Sequence, residues 1–222
     1  AVDGRPGMGP LLGGRELDSR DRLLTQVAGG GRVRGRTIPP EQAFADYLDL
    51  RGVGSVVRRA ASAASLPMIA AATPGLEYLL VLGKIKELAR ERAADLIVVD
   101  APPAGHAVPF LRSATGLSDV VQSGPVRDQA VEVDVMLRDP ARTAAITVTL
   151  PEETPVTEAL GLEAELRDQI GIAVVAVVVN GCWPDRAGLA KSAAMAARSH
   201  RGITLSAATK TARSEERRVG KE

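Results

Sequence analysis

Three short apolar segments, separated by stretches of helical pattern, constrain the fold of this chain more than any other feature. They lie at residues 95–100, 143–150 and 172–179. Strands that are apolar on both faces are typical of parallel sheets, whose strands are joined by helices that cover them. The sequence therefore predicts an α/β fold, with a mostly parallel sheet, helices on both faces and these segments as buried strands.

The helices are expected to begin at proline-containing sites, with Thr or Ser as N-caps. These sites are Pro39-Pro40, Thr73-Pro74, Ser123-Gly124-Pro125 and Thr154-Pro155. A last helix is expected from about Ala187, and a short strand near residues 33–38. The helices between about residues 40 and 93 are predicted to form a small helical insert. That insert could face a client, or its apolar faces could simply complete the core.

Composition excludes several classes of protein. The 222 residues carry a net charge of +1, which gives no strong electrostatic case for nucleic acid or an anionic membrane as the main partner. Only 2% of the residues are aromatic, which also disfavours base stacking. Cys182 is the only cysteine, so a disulfide framework or a cysteine-only metal cluster within one chain is excluded. The sequence has no apolar run long enough to span a bilayer and no signal peptide at Ala1, so we expect a cytoplasmic protein.

Asp100 ends the first apolar segment and leads into "APPAGH". Gly105 and the two prolines predict a tight loop rather than a helix there. A carboxylate at a strand end can hold Mg²⁺ through water, and a shaped loop after it can sense a γ-phosphate. This pattern favours a nucleotide site, and the alternative is an aspartate that caps the next helix.

Two further polar residues are candidates with open alternatives. Asn180 follows the third apolar segment and could pair with an adenine edge, because its amide offers one acceptor and two donors. It could equally be an ordinary residue of an Asn-Gly turn. Asp3, in "AVDGRPG", could orient an attacking water or belong to an Asp-Gly turn. The neighbouring Cys182 is expected to be a turn or buried residue rather than a nucleophile.

Taken in order, three stretches resemble conserved regions of the ArsA and Get-type ATPases, in particular actinobacterial members. They are "VDGRPGMGPLLG" (switch I), "DLIVVDAPPAGHAVPFL" (Walker B and switch II) and "VVVNGCWP" (the adenine-contacting strand end). Ala101, Pro103 and Ala104 replace hydroxyl-bearing or small polar positions of the family pattern. The resemblance covers roughly residues 1 to 200, which makes it more specific than any single motif.

The resemblance implies a P-loop ATPase with a deviant Walker A loop that binds ATP and Mg²⁺. It implies that Asp3 positions the hydrolytic water, that Asp100 holds Mg²⁺ through water and that Gly105 lies near the γ-phosphate. Asn180 would contact the adenine. The family works as dimers, so a homodimer or a heterodimer with a paralogous ATPase is expected, with peripheral association with a membrane partner as an option.

The phosphate-binding loop itself is missing from the 222 residues, which contain no G-x-x-x-x-G-K-[ST] motif. We therefore expect a partial ATPase domain over residues 1–212, a P-loop NTPase fold that lacks its N-terminal P-loop strand. Such a fragment should bind ATP poorly and aggregate or stay partly folded, because the phosphate cradle and a strand partner are lost. Residues 213–222, "RSEERRVGKE", resemble a translated sequencing adapter and are expected to be an artefact.

Two functions remain open for the intact protein. It could be an ATPase whose dimeric switch handles a client or an anion, or a non-catalytic subunit that pairs with an active paralogue. A lone cysteine disfavours metalloid transport, because soft metal ions are held by several thiolates. Four scattered methionines disfavour a Met-rich groove for apolar clients.

Overall fold

Helices and strands both form in the part of the chain that this computed structural model describes, residues 8–52 and 73–182, and the predicted α/β class is confirmed. Asp3, the expected helix near Ala187 and residues 213–222 lie outside the described residues. The chain divides into two compact units, Ala1–Arg142 and Thr143–Glu222. None of the helices in the described ranges combines the length and the apolar character that crossing a bilayer requires.

The first unit contains an antiparallel hairpin and a group of packed helices. Its elements are α1 (Met8–Leu11), β1 (Arg22–Gln26), β2 (Arg32–Gly35), α2 (Pro40–Leu50), α3 (Leu76–Arg90), α4 (Ala104–Val120) and α5 (Pro125–Arg138). The strand expected near residues 33–38 is present as β2, shifted towards the N-terminus. Its partner β1 was not predicted, because it lies in a polar, glycine-rich stretch without apolar alternation.

The core of the first unit is built around α3, which packs against α2, α4 and α5. Its largest fully buried side chains are Leu79, Val81, Phe110 and Val133. The rings of Tyr78 and Phe110 meet edge to face, with their centroids 5.6 Å apart, a favoured geometry for aromatic pairs. The apolar faces of α2 and α3 therefore belong to the core, as the second alternative for these helices requires.

Lys86 and Gln129 are buried with this core, between α3 and α5, and they form a polar cluster with the exposed Glu132. Lys86 is 7% exposed, and its Nζ donates a hydrogen bond to Gln129 Oε1 at 3.0 Å. Lys86 also donates to the Glu132 carboxylate, which lowers the pKa of Glu132 below its usual value. A Cβ at Gly83 would lie 1.7 Å from Gln129 Nε2, so a glycine allows the two helices to approach. The cluster satisfies a cation that burial would otherwise penalise.

Proline positions predicted the helix starts better than the capping residues did. Helices α2 and α5 begin at Pro40 and Pro125, as expected. The predicted N-caps Thr73, Ser123 and Thr154 are wrong. Gly75 and Gly124 occupy the N-cap positions of α3 and α5 with φ of 86° and 95°, which glycine adopts without strain. The helix expected at Thr154-Pro155 begins at Glu153, and its N-cap residue is Glu152.

The strand predicted at residues 95–100 is not formed. These residues adopt neither helix nor strand, and Leu96 and Val98 are 77% and 81% exposed. A strand exists only within a hydrogen-bonded ladder, and apolar content alone does not supply a partner. The first buried strand of the sequence interpretation is therefore wrong for the described structure.

The second unit is a parallel strand pair joined by a helix, as the spacing predicted. It comprises β3 (Ala144–Thr149), α6 (Glu153–Glu165), a π-helical turn (Leu166–Ile170) and β4 (Ala173–Val179). Burial on both faces was also predicted, and that is wrong. Thr147 and Thr149 are buried, whereas Ile146 and Val148 on the opposite face are exposed, because one helix covers only one face of a two-stranded sheet.

Replacing Phe110 with alanine should lower the free energy of unfolding of the first unit by about 3–5 kcal/mol, because the change leaves a cavity in the core. Chemical denaturation followed by circular dichroism measures this loss. Val135→Ala, at an exposed position of α5, is the control and should change the free energy by less than about 0.5 kcal/mol. Equal losses for the two variants would contradict the assigned core.

Glu132→Gln should reduce the stability of the first unit near neutral pH and flatten its acid dependence. The pKa of Glu132 is lower in the folded than in the unfolded state, where it has the usual value of 4.5. The carboxylate therefore stabilises the fold fully above pH 4.5, and this stabilisation is lost as the pH falls through the folded-state pKa. The loss near neutral pH should stay below about 1 kcal/mol, since the Glu132 side chain is 63% exposed and screened by solvent. Denaturation curves over a pH series measure the loss of stability. Glu158→Gln, at an exposed glutamate of α6, is the control. The same flattening in Glu158→Gln would rule out the Lys86 contact as its cause.

Candidate functional site

Asp100 lies four residues before Ala104, the first residue of α4, at the end of an irregular segment. Its side chain is exposed and makes no hydrogen bond or ion pair with any residue that the structure describes. The carboxylate of Asp100 is therefore accessible to a ligand, and it does not cap α4, whose N-cap residue is Pro103.

The loop predicted at "APPAGH" is wrong, because Gly105 and His106 lie in the first turn of α4. The N–H groups of His106 and Ala107 donate to the Pro103 carbonyl oxygen at 2.8 and 2.9 Å. A buried stripe that includes Ala107, Phe110 and Ala114 packs into the core. That stripe stabilises a helix through Gly105, where the sequence interpretation had read Gly105 as a turn residue.

The first turn of α4 can donate hydrogen bonds to an anion. The first N–H groups of any helix have no acceptor within the helix, and the helix dipole makes this end positive. A Cβ added at Gly105 would meet no atom within 4 Å, so packing among the described residues does not require a glycine there. A close approach by a ligand is one reason for a glycine at this position.

Asn180 directly follows β4, in the second unit. Its backbone N–H donates to the Thr149 carbonyl oxygen at 2.7 Å, which extends the pairing of β3 with β4 by one residue. The Asn180 side chain is exposed and makes no hydrogen bond with any described residue. The end of a strand therefore positions this amide while its donors and acceptor stay available for a ligand.

Two other predicted residues, Asp3 and Cys182, add no described group to the candidate site. Asp3 lies outside the described residues, so Asp100 and Gly105 are the predicted residues of the first unit that the structure describes. Cys182 is exposed, with Sγ 3.6 Å from the Val179 carbonyl oxygen, as expected for a turn residue. Across residues 8–52 and 73–182, no group of three His, Cys, Asp or Glu side chains could hold a metal ion.

The sequence interpretation missed two features. The first turn of α4 was hidden because Gly105 and the prolines are typical of loops. Lys86 was missed as a buried residue, although it lies seven positions after Leu79, on the same helical face, and that spacing was a usable signal.

Comparison with known proteins gives a consistent result. No protein-family model matches the chain. The chain is 35% identical over 189 residues to ATPase BagA of Mycobacterium tuberculosis, a match that covers 81% of this chain and 54% of BagA. It is 32% identical over 110 residues to the arsenical pump-driving ATPase of Escherichia coli, covering 49% of this chain and 18% of that protein. The arsenical pump-driving ATPase of Acidiphilium multivorum gives the same values.

The chain spans about half the length of the BagA relative, 54%. The ordered resemblance of three segments and the similarity to these ATPases agree with each other and with the α/β fold. The chain is therefore similar to the ArsA-like ATPases over most of its length, and these relatives support its assignment to that family.

Proposed function

We propose that the whole protein is a cytoplasmic ATP hydrolase. The observation that carries the proposal is the exposed Asp100 carboxylate, which has no partner among the described residues and lies four residues before a helix whose first turn can donate to an anion. A carboxylate for Mg²⁺ and N–H donors for a phosphate are the groups that a nucleotide site requires. The similarity to proteins named as ATPases supports the same reading.

The residues present fit ATP and Mg²⁺ in part. Asp100 offers an oxygen ligand of the kind that Mg²⁺ prefers, and the amide of Asn180 offers the donors and acceptor that match an adenine edge. Mg²⁺, when bound, would neutralise charge on the β- and γ-phosphates. The lysine-containing loop that cradles these phosphates has no counterpart among the 222 residues.

In this proposal each residue has one task. Asp3 orients the attacking water and accepts its hydrogen bond. Asp100 would hold Mg²⁺ through water, and the N–H groups at Ala104 and Gly105 would donate to phosphate oxygens. Positioning and electrostatic stabilisation of this kind account for most of the rate gain in phosphoryl transfer.

We also propose that two protomers close around two nucleotides and that closure changes how a client or an anion is held. The family resemblance supports this part. The non-catalytic alternative rests on the altered loop sequence after Asp100, in which Ala101 and Ala104 lack the hydroxyl groups of the family pattern. A protein that binds MgATP without turnover and stimulates an active paralogue would favour that alternative.

Gly105→Ala should weaken MgATP binding by the whole protein by roughly tenfold or more, because a methyl group blocks hydrogen bonds from this turn to a charged phosphate. Isothermal titration calorimetry measures the affinity. Gly116→Ala is the matched control, since Gly116 lies in the same helix and also has no atom within 4 Å of an added Cβ.

Both glycine variants should keep or raise the stability of the fold, by up to about 1 kcal/mol, because alanine favours helix. Weakened binding in Gly105→Ala alone supports a ligand at the first turn of α4. Equal affinities for the two variants and the parent would contradict the placement of the γ-phosphate there.

Asp3→Asn should lower the rate of ATP hydrolysis by roughly 10²–10⁴-fold while the affinity for MgATP stays nearly unchanged, because only the orientation of water is lost. A phosphate-release assay and the same calorimetry separate the two effects. Asp95→Asn, at an exposed aspartate, is the control and should hydrolyse ATP at the parent rate. Undiminished turnover in Asp3→Asn would reject the water-positioning role.

A further inference from the structure

The hairpin of the first unit and the turn before it expose arginines beside aliphatic side chains. Leu11, Leu23 and Val27 are 86%, 50% and 52% exposed. Arg15, Arg20 and Arg32 are exposed in the same stretch. These six residues are called the basic hairpin surface below. Exposed aliphatic side chains and exposed arginines therefore occur together in this stretch.

The register of the hairpin explains why these side chains face outward. Leu23 pairs with Arg34 and Gln26 with Arg32, and these four residues are exposed. A bulge between Leu23 and Thr25 shifts the alternation by one residue. Leu24, Val33 and Gly35 fall on the other face and are half-buried. The hairpin therefore has an inner face that packs and an outer face that remains open.

The inner face is closed by the segment around α1. A Cβ at Gly14 would lie 3.1 Å from the Leu24 side chain, and a Cβ at Gly35 would lie 2.7 Å from Leu24 and 3.2 Å from Leu17. The Thr37 N–H donates to the Asp18 carbonyl oxygen at 2.8 Å, which ties the chain after β2 to the chain before β1. Leu11 and the hairpin thus belong to one packed element.

This element is strongly positive compared with the rest of the chain. Residues 15–36 contain six arginines and three acidic residues, a net charge of +3, against +1 for the whole chain. Two of the acids are engaged, since Asp18 binds Arg22 and Asp21 binds Arg34 Nε at 2.7 Å. The hydrogen bond from Arg22 holds the pKa of Asp18 well below its usual range. Arg15, Arg20 and Arg32 form no ion pair with any residue in the described ranges.

The structure assigns this surface to the headgroup region of an anionic phospholipid bilayer, as a peripheral contact that the proposed ATPase activity does not require. Guanidinium groups attract anionic headgroups, while the aliphatic side chains enter the boundary between headgroups and acyl chains. A bilayer surface therefore accounts for both the exposed arginines and the exposed aliphatic side chains. Nucleic acid fits less well, because residues 8–38 contain no aromatic side chain on which a base could stack.

The test is flotation of the full chain with vesicles of equimolar phosphatidylglycerol and phosphatidylcholine, against vesicles of phosphatidylcholine alone. Binding should require phosphatidylglycerol. The double variant Arg20→Gln/Arg32→Gln should weaken binding by roughly tenfold or more, since each arginine near an anionic surface contributes a several-fold gain. Leu23→Ser should weaken it as well, although the charge is unchanged.

The matched control is Arg92→Gln/Arg142→Gln, which removes two exposed arginines elsewhere in the first unit and should bind within about twofold of the parent. Circular dichroism of each variant verifies the fold. Absence of binding, equal binding to both vesicle types, or equal losses in the two double variants would overturn the assignment. Binding to duplex DNA that persists while vesicle binding is absent would overturn it too, and would assign the surface to nucleic acid.

Discussion

Burial of α3 against α2, α4 and α5 is the interaction on which the first unit depends. It places Leu79, Val81 and Phe110 away from water, and it brings Lys86 close enough to Gln129 and Glu132 to satisfy its charge. The same packing fixes the direction of α4. The first turn of α4 is therefore held by the packing of its own helix rather than by local loop geometry. A site built on such a helix is positioned more rigidly than one on a free loop.

Local signals in the sequence predicted the local structure. The prolines at Pro40 and Pro125 located two helix starts because a fixed φ and a missing N–H suit the first turn whatever lies elsewhere in the chain. The parallel pairing of β3 with β4 followed from two apolar segments separated by one helix. Asn180 was correctly placed after a strand, and its position at the end of the ladder is a direct consequence of that pattern.

Features that depend on distant partners were not predictable in this way. Residues 95–100 have the composition of a buried strand, yet they form none in the described structure, because a ladder needs a partner as well as apolar side chains. The glycine caps of α3 and α5 depend on the angle at which the chain reaches each helix, which packing sets. Gly105 was predicted to lie in a loop because its local sequence is typical of loops. The helix through Gly105 is stabilised by the buried stripe of α4, and burial depends on tertiary packing.

The central claim is that the N–H groups at the start of α4 face the γ-phosphate in the whole protein. Amide hydrogen exchange of Ala104 and Gly105, measured with a non-hydrolysable MgATP analogue and with MgADP, tests this directly. The account predicts slower exchange at these two residues with the triphosphate analogue than with MgADP, with no comparable difference around Gly116 in the last third of the same helix. Identical exchange at Ala104 and Gly105 in the two saturated complexes would contradict it.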